Sequence, residues 1–444
     1  MLTNILERGP RPQSLIQLAF LFACVVFACV VPVATATGDV PTQSLEAAKK
    51  SPDFAIMGEF VGPVEQGESE YERIAVQVRT VGDGRFEALQ YLGGLPGEKS
   101  HQKQLASLIG RRSGGFLVLS GGPWALVVHP DHCLVINEKG DQIGRLKRMV
   151  RESPTMGAKP PKDATVVFDG SDAEQFTKAK VTEDGLLMEG ATVKPMFQDF
   201  NLHCEFRLPL MPGDRGQGRA NSGFYLQSRY EVQVLDSFAK PPKNNGCGAL
   251  YQYREPDVNA CLPPLQWQTY DIMFTAPRWD ADNQKIRNAR ITVWLNGTKV
   301  HDNQELESKT GSGSDESPTL LPIRLQDHGD PVRFRNLWVI DRGLSTGGDF
   351  PVHAPQSPKK KQSTKKDAKQ DAEKKGQQDE DKEASKDEAS KQNDKKDGNG
   401  KDEGNTESED KDQQADKDKE QDKDNDKQKD KDKEADKDKD NDKE

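Results

Sequence analysis

NSGFYLQSRYEVQVLD, residues 221–236, reads as two strands placed back to back. Successive side chains of a strand point to opposite faces. Phe224 and Leu226 therefore share one face, as do Val232 and Val234, and those four predict packing against a second sheet. The other face carries Tyr225, Gln227, Arg229, Glu231 and Gln233. Amides, a guanidinium and a carboxylate make paired hydrogen bonds, and aromatic rings stack on apolar sugar faces, so the row suits a carbohydrate. The same residues also fit a plain solvated face, and the hairpin alone does not choose between the two.

Working outward, the flanking chain has the same character. VVFDG (166–170), LLMEG (186–190) and NLHCEFRLP (201–209) precede the hairpin. Downstream, Tyr270, Ile272 and Phe274 alternate with other residues. In ARITVWLNGTKVHDN (289–303), Ile291, Val293 and Leu295 point one way before an Asn296-Gly297 turn. LLPIRLQDHGDPVRFRNLWVID (320–341) closes the series. Many short strands with turn residues between them, and almost no helix, predict an all-β sandwich or jelly roll over 163–342. Gln326 and His328 alternate with Leu325, Asn221 and Asp236 bracket the hairpin, and Tyr251 and Trp267 flank a Cys247–Cys261 loop. Gathered on one concave sheet face, these residues would line a groove.

A smaller β-rich module is expected over 37–156. RIAVQVRTVGDGRFEALQYLGG (73–94) reads as a hairpin around Asp83-Gly84, further strands follow Gly114, and only His101–Arg112 suggests a helix. His129 and His132 lie close together without an evident third ligand, which favours a strand-end loop over a metal site. A Pro-rich linker at 157–162 separates the two β modules.

The ends of the chain differ in kind. Arg8 and Arg11 precede an apolar run from Leu15 to Val31 that ends in small residues, the pattern of a secretory leader cleaved after Ala36. An uncleaved anchor is the alternative. Export is therefore expected, to the periplasm or the exterior, with no stable membrane span after cleavage. Residues 357–444 hold 25 Lys against 31 Asp and Glu, so this tail carries six of the ten net negative charges. It has no apolar residues beyond scattered Ala and is expected to be disordered. The rest of the chain is near neutral and shows no basic patch, which argues against a nucleic-acid partner. Of the four cysteines beyond the leader, Cys204 alternates with Leu202 and Phe206 as a core residue, whereas Cys247 and Cys261 are close enough in sequence to bridge.

NSGFYLQSRYEVQVLDS, GCGALY, PPLQWQTYDIMFTAPR, ARITVWLNGTKVHDN and LQDHGDPVRFRNLWV, in that order and with VVFDG and DFNLHCEFRLP ahead of them, resemble the 3-keto-disaccharide hydrolase domain family over about 164–340. The resemblance implies a concanavalin-A-like lectin/glucanase jelly roll acting on glycosides oxidised at C3. A C3 ketone acidifies the hydrogen at C2; a base removes it, the enolate forms, the glycosidic oxygen leaves C1 and water adds back. This differs from an acid and a second carboxylate flanking an oxocarbenium ion. It requires one base and one electrophile. Glu231 is the candidate base, or a plain ion-pair partner of Arg229 or Arg254. His328 is the candidate electrophile, or a ligand of a divalent metal, the one cofactor that this chemistry leaves open. Asn221, Gln233, Asp236 and Gln326 would hold hydroxyls, Tyr225 or Trp267 would supply a ring platform, and Arg229 and Tyr251 would complete the groove. A non-catalytic carbohydrate-binding module or an envelope scaffold is the alternative, since one fold hosts many functions.

Overall fold

In the computed structural model two short helices, α1 (Leu45–Ala48) and α2 (Pro52–Ile56), lead into eight consecutive strands: β1 (Gly58–Gly67), β2 (Glu70–Thr80), β3 (Arg85–Leu92), β4 (Lys103–Ser113), β5 (Phe116–Ser120), β6 (Ala125–Val128), β7 (His132–Ile136) and β8 (Gln142–Met149). Each pairs antiparallel with the next, and β8 returns to β1, closing a barrel. Closure leaves no exposed strand edge. Phe60, Ile74, Val76, Phe86, Leu117, Leu126, Val135 and Leu146 fill the interior. The structure describes residues 41–67, 70–344, 350 and 353; the leader expected at 1–36 and the tail expected at 357–444 lie outside the described residues. Among the described residues no helix is long and apolar enough to cross a membrane.

The helix expected at 101–112 is instead β4. Leu105, Leu108 and Ile109 fit helical spacing, but pairing with β3 on one side and β5 on the other satisfies the backbone of this segment as strand. Leu108 then points into the barrel, while Ile109 stands 69% exposed. Barrel closure overrides a weak local preference.

Fourteen more strands follow: β9 (Ala164–Phe168), β10 (Phe176–Lys178), β11 (Leu187–Met188), β12 (Thr192–Val193), β13 (Asp199–Arg207), β14 (Ser222–Leu226), β15 (Tyr230–Val234), β16 (Trp267–Thr275), β17 (Arg278–Trp279), β18 (Lys285–Arg287), β19 (Ala289–Leu295), β20 (Thr298–Leu306), β21 (Arg324–Leu325) and β22 (Arg333–Gly343). One sheet runs β10-β12-β21-β14-β15; a seven-stranded sheet runs β11-β22-β13-β16-β19-β20, with β9 beside β22; β17 and β18 form a separate ribbon. This is the expected all-β sandwich. Phe224, Leu226, Val232 and Val234 meet Phe200, Leu202, Cys204, Phe206, Tyr270, Ile272 and Phe274 in one core, so the hairpin faces inward as its alternation predicts.

Two sets of contacts join barrel and sandwich. Arg151 grips Glu59 of β1 at 2.6 and 2.8 Å, and residues 153–158 then run over the outer face of the seven-stranded sheet. There Thr155 donates to Asp271 at 2.7 Å, and Asn336 and Trp338 donate to the Ala158 carbonyl. Elsewhere the β2–β3 hairpin meets the loops on either side of the β14–β15 hairpin: Arg79 donates to the Phe238 carbonyl after β15 at 3.0 Å, and ahead of β14 Arg219 donates to the Thr80 carbonyl at 3.2 Å and Arg215 to the Val81 carbonyl at 2.6 Å.

Candidate active site

The register of three neighbouring strands sets the site. Arg324 of β21 lies opposite Tyr225 of β14, which lies opposite Glu231 of β15; one step along, Gly223 lies opposite Gln233 and accepts from the Gln326 backbone N–H at 2.9 Å. Because Phe224, Val232 and Leu325 point into the core, the alternate residues share the outer face of the five-stranded sheet. Tyr225, Glu231, Gln233 and Gln326 are thus brought together as the sequence predicts, and Asn221 borders them.

Glu231 is 1% exposed, and its Oε2 has no hydrogen-bond partner. Burial raises its pKa to about 7, with the Tyr225 hydroxyl and the Arg324 charge pulling partly the other way. A carboxyl poised near neutrality suits a general base. The Gln326 Oε1 is a second buried acceptor without a partner. Gly223 lies beside Glu231: a Cβ built there would stand 2.3 Å from Glu231 Oε1. The sheet is therefore bare where the carboxyl leans over it. The Arg324 guanidinium lies 4.4 Å from the centre of the Tyr225 ring. We expect Gly223→Ala to keep the fold but push Glu231 aside, lowering turnover on the order of 100-fold, as a 1 Å misplacement can; steady-state kinetics beside a thermal melt checks this.

An amide network forms one border. Gln233 Nε2 donates to Gln217 Oε1 at 2.9 Å and to Asn221 Oδ1 at 3.3 Å, while Asn221 Nδ2 donates to the Gln217 carbonyl at 2.8 Å. The Asn221 backbone N–H donates to Asp330 Oδ2 at 2.7 Å, which ties the 327–330 turn to this end of the face. His328, half-buried, sits in that turn two residues past Gln326. Tyr251 is half-buried at the β15 edge; its backbone N–H donates to the Glu231 carbonyl at 3.1 Å, and its ring packs near Gly311.

Three expected binding residues stand elsewhere. Gln227 and Ser228, with φ of 48° and 51°, turn the hairpin, so the strand alternation stops before Arg229. The Arg229 guanidinium is buried against the Asp315 carbonyl at 2.9 Å, Ser317 Oγ at 2.8 Å and the Thr319 carbonyl at 2.9 Å, where it anchors the 308–322 segment. Asp236 is buried in an ion pair with Arg219 at 2.7 Å and is not offered to a ligand. Trp267 belongs to the other sheet, opposite Arg207 of β13, with Arg207 5.0 Å and Arg335 3.9 Å from its ring.

The bridge expected between Cys247 and Cys261 is also corrected: both are free, buried thiols. Cys247 Sγ lies 3.4 Å from the Tyr270 hydroxyl, and Cys261 Sγ lies 3.5 Å from the Leu262 carbonyl. Backbone bonds fasten their loop to β15 instead, from Gly248 N–H to the Gln233 carbonyl at 3.0 Å and from Gln233 N–H to the Ala249 carbonyl at 2.9 Å. Among the described residues no group of three or more His, Cys, Asp or Glu gathers as a metal site would.

Sequence reasoning missed Gly223, Gln217 and Arg324. Arg324 was within reach, because it alternates with Gln326; Gln217 lies outside any strand and carries no periodic signal.

Residues 163–340 match the model of the 3-keto-alpha-glucoside-1,2-lyase-like domain. Similar solved structures include three from Parabacteroides distasonis, each described as an inferred glycosyl hydrolase. One is 32% identical, with 41% of this chain and 84% of that chain covered and a TM-score of 0.38. A second is 18% identical, covering 44% and 98%, with a TM-score of 0.32. The third is 25% identical, covering 40% and 98%, with a TM-score of 0.27. No curated protein matches the chain.

Proposed function

The chain belongs, through residues 163–340, to the 3-keto-disaccharide hydrolase domain family, and from that premise we propose that it cleaves 3-keto-glycosides by elimination across C1–C2 followed by hydration. The observation that carries the reading is the Glu231 carboxyl: buried, one oxygen unpartnered, and titrating near neutrality on the outer face of the five-stranded sheet.

The C3 ketone makes the C2 hydrogen acidic enough for a carboxylate to remove. Glu231 takes that proton, and the C2–H electron pair becomes the C2=C3 bond of the enolate, with negative charge on the C3 oxygen. When the ketone re-forms, the electrons move to C1=C2 and the glycosidic oxygen leaves C1 with a proton from solvent. Water then adds at C1 and a proton returns to C2, so the net change is hydrolysis. Gln326 Oε1 accepts a sugar hydroxyl, the Asn221–Gln233–Gln217 amides border the ring, and the missing Cβ at Gly223 leaves the Glu231 carboxyl its place over β14.

The test is incubation of the full chain with a 3-keto-disaccharide and with its unoxidised parent. Cleavage of the ketone alone, slowed by deuterium at C2, is expected. Cleavage of the parent, or binding of either sugar without turnover, would overturn the reading in favour of an ordinary glycosidase or a binding module.

A further inference from the structure

Elimination needs an electrophile as well as a base, and the row that holds Glu231 also holds a cation. Arg324 is exposed, and among the described residues it forms no ion pair; its guanidinium rests on the Tyr225 ring. Nearby arginines are committed differently: Arg219 to Asp236, and Arg229 to the 308–322 segment. Arg324, Tyr225 and Glu231 stand in register across β21, β14 and β15. Neighbouring strands are about 4.8 Å apart, so the Arg324 and Glu231 backbones are separated by about 10 Å. Both long side chains reach inward over that span, the Arg324 guanidinium onto the Tyr225 ring and the Glu231 carboxyl over Gly223. With C2 presented to Glu231, the adjacent C3 oxygen is directed toward β21.

We infer that Arg324 is a catalytic residue of this same site, whose guanidinium donates hydrogen bonds to the C3 oxygen of the 3-keto sugar as negative charge collects there. The inference rests on the elimination reading. As Glu231 removes the C2 proton, the carbonyl π pair moves onto the C3 oxygen, and the fixed cation stabilises that charge; no proton leaves Arg324. The pair then returns to re-form the ketone as the glycosidic oxygen departs. A preorganised donor at a developing oxyanion is worth about 100- to 1000-fold in turnover.

The titratable and charged groups that act on Glu231 are Tyr225 from β14 and Arg324 from β21, while Tyr251 of the 246–254 segment acts on Tyr225; of the three only Arg324 is a permanent cation. Its charge holds the Glu231 pKa down, so losing it moves the acid limb of kcat/KM to higher pH. The experiment compares Arg324→Met and Arg324→Lys with the unaltered full chain on a 3-keto-disaccharide across pH. Arg324→Met is expected to lower kcat by about 100-fold or more and to shift the acid limb upward. Arg324→Lys, which keeps a point charge, should recover part of the rate and most of the limb. Turnover of Arg324→Met within threefold of the unaltered chain, or an acid limb that does not move, overturns the inference and leaves the elimination reading intact. An unaltered chain inert toward the ketone overturns both.

Discussion

Glu231→Gln is expected to lower cleavage of a 3-keto-disaccharide by about 100- to 10,000-fold while making the protein more stable above neutral pH. Glutamine keeps the shape of the side chain but cannot accept the C2 proton. The gain in stability follows from the same burial that tunes the carboxyl. The folded pKa is raised from 4.5 to about 7, so between those values the folded protein holds a proton that the unfolded chain has released. Stability therefore falls as pH rises through this window. The full cost of the buried charge above it is on the order of 3 kcal/mol. The substituted amide carries no such charge, and its advantage should be absent below pH 4.5 and complete above about 7. Denaturant titrations of both proteins at pH 4 and pH 8, beside the kinetics, check both halves. Equal turnover would remove Glu231 as the base, and a variant less stable at pH 8 would contradict the account of its burial. The acid limb of kcat/KM in the unaltered protein should lie near 7, since the base must be ionised to act.

Arg219→Ala carries the largest expected loss of stability. Its guanidinium pairs with Asp236 at 2.7 Å, and both side chains are 1% exposed. It also donates to the Thr80 carbonyl of the barrel at 3.2 Å. Truncation leaves a carboxylate buried with only Arg79 as a nearby cation. Breaking one side of such a pair costs about 3–5 kcal/mol, because the remaining charge cannot regain water. Replacing both partners with apolar residues should recover much of the loss, which separates an uncompensated charge from lost packing. The acid dependence has a definite sign. Although burial favours protonation of Asp236, Arg219 and Arg79 hold its pKa below the ordinary 3.8. Its contribution is complete above that value and is lost as pH falls through the folded pKa. Urea midpoints of the single and double variants at pH 7 and pH 3 measure both effects.

The hairpin at 221–236 was legible because a strand has a period of two and its apolar residues leave one choice of inward face. That alternation alone puts Tyr225, Glu231 and Gln233 together. The same rule failed at Arg229, where Gln227 and Ser228 turn the chain and the alternation restarts. Trp267 failed for another reason: periodicity shows which residues share a strand face, but not which sheet the strand joins. That choice rests on contacts such as Trp267 with Arg207, sixty residues earlier. Asp236 reads as a ligand residue because nothing local reveals that Arg219 will be buried against it. The proximity of Cys247 and Cys261 was legible: their side chains interact, though as free thiols and not as a bridge. Gly223 shows the opposite limit. Its importance is the atom it lacks, and this matters only once Glu231 is known to lie above it.

The segment 153–158 is more than a tether. Ser153 and Thr155 make hydroxyl contacts with Thr269 at 2.6 and 2.9 Å, and Gly157 N–H donates to Glu205 at 2.6 Å. With the clasp between the β2–β3 hairpin and the loop ahead of β14, this gives the barrel a two-point mooring on the sandwich. A sandwich excised at residue 157 would surrender both moorings and strip Thr269 and Asp271 of hydroxyl partners that now cover them, so the smallest piece worth purifying begins before the barrel.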